Sequence, residues 1–187
     1  MLKTIKALLL TLFLPLCGCV HAGAPAGPGM IVTFASLKKG VSVAIKSARL
    51  PNGAAFAHAG SFGPNKEWKG GGATMGAAPD GRELPEWVEF EWIEPVYPED
   101  SKQTLEEYRA LPRHKQRVLI RGRVPQEAVE EVMQAKRNAP RGSLPEKTLW
   151  VYFVWTDDGI KFRWEVYREP KAPGEASVSR SGGDALP

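Results

Sequence analysis

The residues in this chain that could do chemistry are few. They are Cys17 and Cys19, the histidines His21, His58 and His114, a glycine run at Gly70-Gly71-Gly72, and carboxylate pairs at Glu89/Glu91, Glu106/Glu107, Glu130/Glu131 and Asp157/Asp158. A catalytic zinc site takes three protein ligands, often two histidines one helical turn apart. No two histidines here have that spacing, so neither a metal nor any other cofactor is predicted. A phosphate loop needs its glycines to lead into a helix carrying Lys-Ser or Lys-Thr, because the helix N-terminus supplies the donors. Here they lead through Ala73-Thr74-Met75-Gly76 into Ala77-Ala78-Pro79-Asp80-Gly81, which reads as another turn. Ser61 follows His58 closely but lacks a Gly-x-Ser-x-Gly elbow. Glu89 and Glu91 have a separation that a glycosidase could use. Their alternation with Val88, Phe90 and Trp92 already accounts for them as the wet side of a strand. The chain reads as a protein that is not an enzyme.

The cysteines belong to a different argument. Lys3 and Lys6 precede an apolar stretch from Ala7 to Leu16, and small residues follow, which is the layout of a secretory signal peptide. The stretch is too short to cross a bilayer, which takes roughly 20 apolar residues. Leu16-Cys17-Gly18-Cys19 resembles a bacterial lipobox, in which Cys19 would carry the lipid after cleavage. The competing cut, after Val20-His21-Ala22, would release a soluble periplasmic protein. With either cut no thiol remains in the folded body, so no internal disulfide, cysteine ligand or thiol nucleophile is available there. Lipid at Cys19 would hold the chain to a membrane by acyl chains alone, and Val20 in place of Asp after it fits sorting to the outer membrane.

Removing residues 1–18 leaves 187 − 18 = 169 residues, enough for one domain with a substantial core. The leader takes Lys3 and Lys6 of the 25 basic residues, so 23 face 21 acidic ones, a balance of +2. The basic residues alternate with acidic stretches at 83–107 and 126–131 and form no stripe, so nucleic acid is not the expected partner.

Residues 19–29 are small and rich in proline and glycine, the composition of a flexible tether. Residues 170–187 lack an apolar period and read as a disordered tail. Between them, 30–169 should form the globular body. Met30 to Ser36 and Val41 to Ala48 read as strands, and Lys38-Lys39-Gly40 between them suggests a hairpin. Trp87 to Ile93 alternates, and Arg117 to Arg123 places Val118 and Ile120 inward. Leu149 to Trp155 is apolar on both faces, so it belongs in the centre of a sheet. Asp157-Asp158-Gly159 then predicts a tight turn of the primed kind into a strand carrying Phe162, Trp164 and Val166. Pro125 to Asn138 predicts one main helix, acidic at its start and basic at its end, with Ala128, Val129, Val132 and Met133 on the face that packs. A shorter helix fits Ser101 to Leu111. The fold class is a single α+β domain, a mainly antiparallel sheet with one main helix packed on it.

Of the six tryptophans, Trp92, Trp155 and Trp164 fit the core period. Trp68, beside the glycines, and Trp87, on the polar side of its strand, have no evident burial partner, and exposed aromatics are favoured anchors at interfaces. The predicted contact surface is therefore Trp68, Gly70, Gly71, Gly72 and Trp87, with Glu89 and Glu91 as an adjoining acidic patch.

The leader with its lipobox is followed by Lys66-Glu67-Trp68-Lys69-Gly70-Gly71-Gly72, Arg82-Glu83-Leu84-Pro85-Glu86-Trp87-Val88-Glu89-Phe90-Glu91-Trp92, the helix, Asp157-Asp158-Gly159 and Lys161-Phe162-Arg163-Trp164. The order resembles an uncharacterised family of Gram-negative lipoproteins (domain of unknown function 2931), over roughly residues 55–168. Members of that family often carry a Cys-Cys pair shortly after the glycines, whereas Ala73 to Ala78 contain none. The resemblance implies an envelope lipoprotein with no catalytic residues to carry over. Small lipoproteins of this kind are often encoded beside toxins of type VI secretion systems and act as immunity proteins in the periplasm. The function expected is that of a binding protein for such a toxin; the alternative is a structural or envelope-maintenance lipoprotein.

Overall fold

The computed structural model describes residues 27–69, 73–77, 83–97, 103–140, 142–170 and 172–186. Among them are nine strands: β1 (Met30–Ser36), β2 (Val43–Arg49), β3 (Ser61–Phe62), β4 (Ala73–Ala77), β5 (Trp87–Ile93), β6 (His114–Leu119), β7 (Lys147–Thr156), β8 (Gly159–Arg168) and β9 (Val178–Gly183). Two helices, α1 (Leu105–Ala110) and α2 (Gln126–Asn138), flank β6 in sequence. The fold is mostly β, and it has two sheets where the sequence predicts one: β4-β1-β7-β8-β9 and β3-β2-β5-β6.

The sheets exist because two sets of alternating aromatics need each other. Val88, Phe90 and Trp92 of β5 turn inward and meet Phe34 of β1 and Phe153 and Trp155 of β7. Phe90 stands edge-on to Phe153 at 4.8 Å and to Trp155 at 5.4 Å, and Phe62 is edge-on to Trp155 at 5.3 Å. Such pairs contribute about 0.5–1.5 kcal/mol beyond the area they bury. β7 lies at the centre of its sheet, parallel to β1 and antiparallel to β8, as its two apolar faces require. At the margin, the Gln116 carboxamide substitutes for a peptide group. It accepts from Ile160 N–H at 2.8 Å and donates to Ile160 C=O at 3.1 Å, stitching β6 of one sheet to β8 of the other.

Several expectations are corrected. β1 and β2 are not a hairpin, because β1 is buried on nearly its whole length and takes neighbours on both sides, β4 and β7. β2 has a wet side, with Lys46 and Arg49 exposed, and pairs with β3 and β5 in the other sheet. The turn from β7 to β8 is not of the primed kind. Asp157 and Asp158 keep negative φ, and the left-handed conformation falls on Gly159 (φ 101°), which closes the strands opposite Thr156.

The terminal segments also differ from expectation. Gly27, Pro28 and Gly29, at the end of the predicted tether, are buried against the body. The predicted disordered tail contains β9, antiparallel to β8. A polar strand finds a place there because Gly182 lies against the Trp164 indole, where a Cβ would come within 2.8 Å. Asp184 then fixes the end, accepting from Phe162 N–H at 2.8 Å and donating its own N–H to Phe162 C=O at 2.8 Å.

α2 follows Pro125 and carries Glu127 in its first turn and Lys136 and Arg137 in its last. Ala128 and Val132 are fully buried and the helix packs beside β7. Glu131 fastens it there, accepting from Lys147 of β7 at 3.0 Å and Ser179 of β9 at 2.8 Å. α1 is shorter than predicted and buries nothing; Leu105 is 63 % exposed. It is held by a capping box, in which Glu107 N–H donates to Thr104 Oγ1 at 3.2 Å and Thr104 N–H to Glu107 Oε2 at 2.7 Å. No helix among the described residues is long and apolar enough to cross a membrane.

Candidate functional site

The outer face of the five-stranded sheet carries what the inner face leaves over. Inward residues of β1, β7 and β8 alternate with Ala35, with Trp150, Tyr152 and Val154, and with Arg163, Glu165 and Tyr167. The chain after β3 crosses this face, and the Trp68 ring meets the Tyr152 ring edge-on at 4.9 Å. Two cations flank that indole: the Lys69 ammonium lies 4.9 Å and the Arg163 guanidinium 5.0 Å from it. Trp68 is thus a half-buried cover, and not the free anchor that the sequence suggests.

Beneath it lies Glu165, only 4 % exposed. Its carboxylate accepts from the Tyr152 hydroxyl at 2.9 Å and pairs with the Lys69 ammonium. Burial, and then the neighbouring carboxylate, push the Tyr152 hydroxyl well above its usual pKa, so it stays a proton donor.

Farther along the same face is an open cleft of about 440 Å³. Its lining includes Ile31, Leu144, Pro145, Glu146, Thr148, Trp150, Tyr167 and Glu169. The Trp150 and Tyr167 rings stand 5.6 Å apart at 50°, forming a corner. The Trp150 indole N–H donates to Thr148 Oγ1 at 3.1 Å, which fixes the ring's orientation. Leu144 stands 85 % exposed at the side of the cleft. A second cleft, of about 630 Å³, separates Val129, Met133 and Arg137 of α2 from Gly27, Pro28 and Leu84.

The opposite outer face, on the four-stranded sheet, holds Trp87, Glu89 and Glu91. The Arg117 guanidinium lies 3.9 Å from the Trp87 ring centroid. Glu89 pairs with Lys115 at 2.8 Å and Arg117 at 3.3 Å, and Glu91 with Arg113 at 2.6 Å. The hydrogen bond from Lys115, only partly offset by desolvation, holds the Glu89 carboxyl below its ordinary value. Trp68 and Trp87 therefore lie on opposite sides of the sandwich and share no surface. Gly70, Gly71, Gly72 and Cys19 lie outside the described residues.

Cys17 and His21 also lie outside the described residues, whereas His58, His114 and Ser61 are engaged locally. His58 Nδ1 accepts from Gly60 N–H at 3.2 Å, and His114 stacks on Trp92 at 5.4 Å. Ser61 pairs in β3 with Ala44. Among the described residues no three histidines, cysteines or carboxylates gather where they could hold a metal. Compared with family models, curated proteins and solved structures, the chain gives no match.

Sequence reasoning missed Trp150, Tyr167 and Glu165. A signal for the first was present, since a strand apolar on both faces must turn half of its large side chains away from the sandwich core. Glu165 alternates with Trp164 and Val166, which predicts a wet position; the cover brought over it from residues 68–69 leaves no such trace in a local pattern.

Proposed function

We propose that this protein is a lipid-anchored binding protein of the cell envelope, facing the periplasm, and within that class an immunity protein that occludes a type VI secretion toxin. In this reading Cys19 carries the lipid, in the outer membrane, and the residues before the body serve as the link. The body is an α+β domain with α2 as its main helix, presenting the outer face of the five-stranded sheet to its partner. The observation that carries the reading is the aromatic cleft: a half-buried tryptophan, its indole N–H bonded to Thr148, beside a second aromatic ring and with polar residues in the lining. This is the make-up of an interface anchor. The order of leader, tryptophan, glycines and alternating strand, which resembles the lipoprotein family, supports the assignment to the envelope.

The test is an affinity capture from detergent-solubilised envelope, with the full chain as bait and the products of adjacent genes co-expressed. The expected result is one stoichiometric partner, lost with Trp150→Ala and retained with Trp87→Ala. Capture of abundant envelope proteins alone, unaffected by Trp150→Ala, would instead favour a structural, envelope-maintenance lipoprotein. For the anchor, incorporation of labelled palmitate should disappear in Cys19→Ser; label that persists in that variant would remove the lipid from the proposal.

A further inference from the structure

Three tryptophans among the described residues are half-buried: Trp68, Trp87 and Trp150. The chain itself supplies cations to two of them. Lys69 and Arg163 flank Trp68, and Arg117 lies over Trp87. Over Trp150 no cation from the described residues is placed; its ring faces the cleft beside Tyr167. A tryptophan face attracts a cation within about 6 Å of its centroid, and the attraction grows as water is excluded. Two rings 5.6 Å apart and inclined at 50° let one cation lie within that range of both.

Among the described residues that line the cleft, the charged ones have the matching sign. The described residues that line it include Glu146 and Glu169 and no lysine, arginine or histidine. Ile31 and Leu144 add apolar wall, suited to the methylene stem of a long basic side chain rather than to a small hydrated ion. A volume of about 440 Å³ accommodates one such side chain with part of its backbone.

We infer that the Trp150–Tyr167 cleft is a receptor for a lysine or arginine side chain presented by a basic segment of a protein partner. This deepens the binding reading above and rests on it for the source of the side chain. Arginine is the better occupant, because its planar guanidinium stacks on an aromatic face while its edge donates to a carboxylate. Glu169, at the rim, is the acceptor of that edge, and Trp150 is the platform.

The experiment is a titration of the full chain, labelled with nitrogen-15 at its indoles, with a capped Gly-Arg-Gly peptide. The Trp150 indole resonance is assigned by its absence in Trp150→Phe. The expected result is a saturable shift of that resonance, with Gly-Lys-Gly binding more weakly. The isosteric, uncharged Gly-citrulline-Gly should bind about 10-fold more weakly than the arginine peptide. Glu169→Gln, a surface change that leaves the fold intact, should weaken arginine binding by about 3-fold. Absence of a saturable shift, or equal binding of the citrulline peptide, overturns the inference. Should the peptide bind while no partner is captured from the envelope, the site stands and the partner reading falls. Should a partner be captured that ignores Trp150→Ala and is not displaced by the arginine peptide, the binding reading stands and the cleft is not its anchor.

Discussion

The two outer faces of the sandwich use the same residue types to opposite effect. On the four-stranded sheet, Trp87, Glu89 and Glu91 face solvent and pair across the ladder with Arg117, Lys115 and Arg113. On the five-stranded sheet, Trp68, Lys69 and Leu186 lie over the strands, and Glu165 is sealed beneath them. An exposed ion pair contributes little, since water and salt screen it and two long side chains must be ordered. A buried one is tied to its partners, because removing either leaves an uncompensated polar group. Cover, not residue type, decides what each glutamate does.

The most drastic way to break the contrast is to remove part of the cover. Truncation after Ser177 deletes β9 together with the bonds Asp184 makes to Phe162 and Arg163. It also uncovers the Trp164 ring where Gly182 lies against it. The expected loss is about 4 kcal/mol, from several ladder hydrogen bonds and the re-exposed indole, read as a lower urea midpoint. A midpoint equal to that of the full chain would mean that the strand only rests on the sheet.

Next in size is Glu165→Ala, which leaves the buried Tyr152 hydroxyl without its acceptor and Lys69 without its partner. The expected cost is about 2–4 kcal/mol. Restoring compatibility with Tyr152→Phe in the same chain should recover part of it, a coupling that a double-mutant cycle measures. Glu89→Ala is the counterpart on the open face, and its effect should be much smaller and vanish in 0.5 M salt. Equal effects of the two substitutions would refute the account of the two faces.

How much of this was legible in the sequence differs between the faces in the same way. The open face is local: Val88, Phe90 and Trp92 against Trp87, Glu89 and Glu91 is a period-two pattern, and the strand and its wet side follow from it. The central position of β7 and the face of α2 bearing Ala128 and Val132 are legible for the same reason. The covered face depends on segments far apart in the chain. Residues 68–69 reach across to 152 and 165, and Asp184 reaches back to 162 and 163, through backbone bonds and ring contacts that carry no periodicity. Residues 178–183 are polar and glycine-rich, so composition reads them as a tail; the ladder of β8 and the flat approach to Trp164 make them a strand. The two-sheet arrangement was hidden likewise, since the choice between a β1–β2 hairpin and two separate sheets rests on which strands need neighbours on both sides.

Acid should produce the smallest change and separate the faces once more. Glu131, on the covered sheet's side, is raised by partial burial but lowered more by its bonds from Lys147 and Ser179, and the net direction is down. Glu94, on the other sheet, is likewise raised by burial and lowered more by Lys38 and the Trp92 indole N–H. A carboxylate whose folded pKa lies below its unfolded value of 4.5 contributes stability that is complete above that value and is lost as pH falls through the folded pKa. The urea midpoint should therefore be level between pH 7 and pH 5 and decline below about pH 4.5. Glu131→Gln should flatten part of that decline and, because this carboxylate bridges α2, β7 and β9, should also speed hydrogen exchange in α2 and β9 at neutral pH. Glu94→Gln should flatten the decline without touching those segments. If Glu131→Gln left α2 and β9 exchanging as before, the carboxylate would be a surface pair like Glu89, and α2 would be joined to the five-stranded sheet by the apolar contacts of Ala128 and Val132 alone.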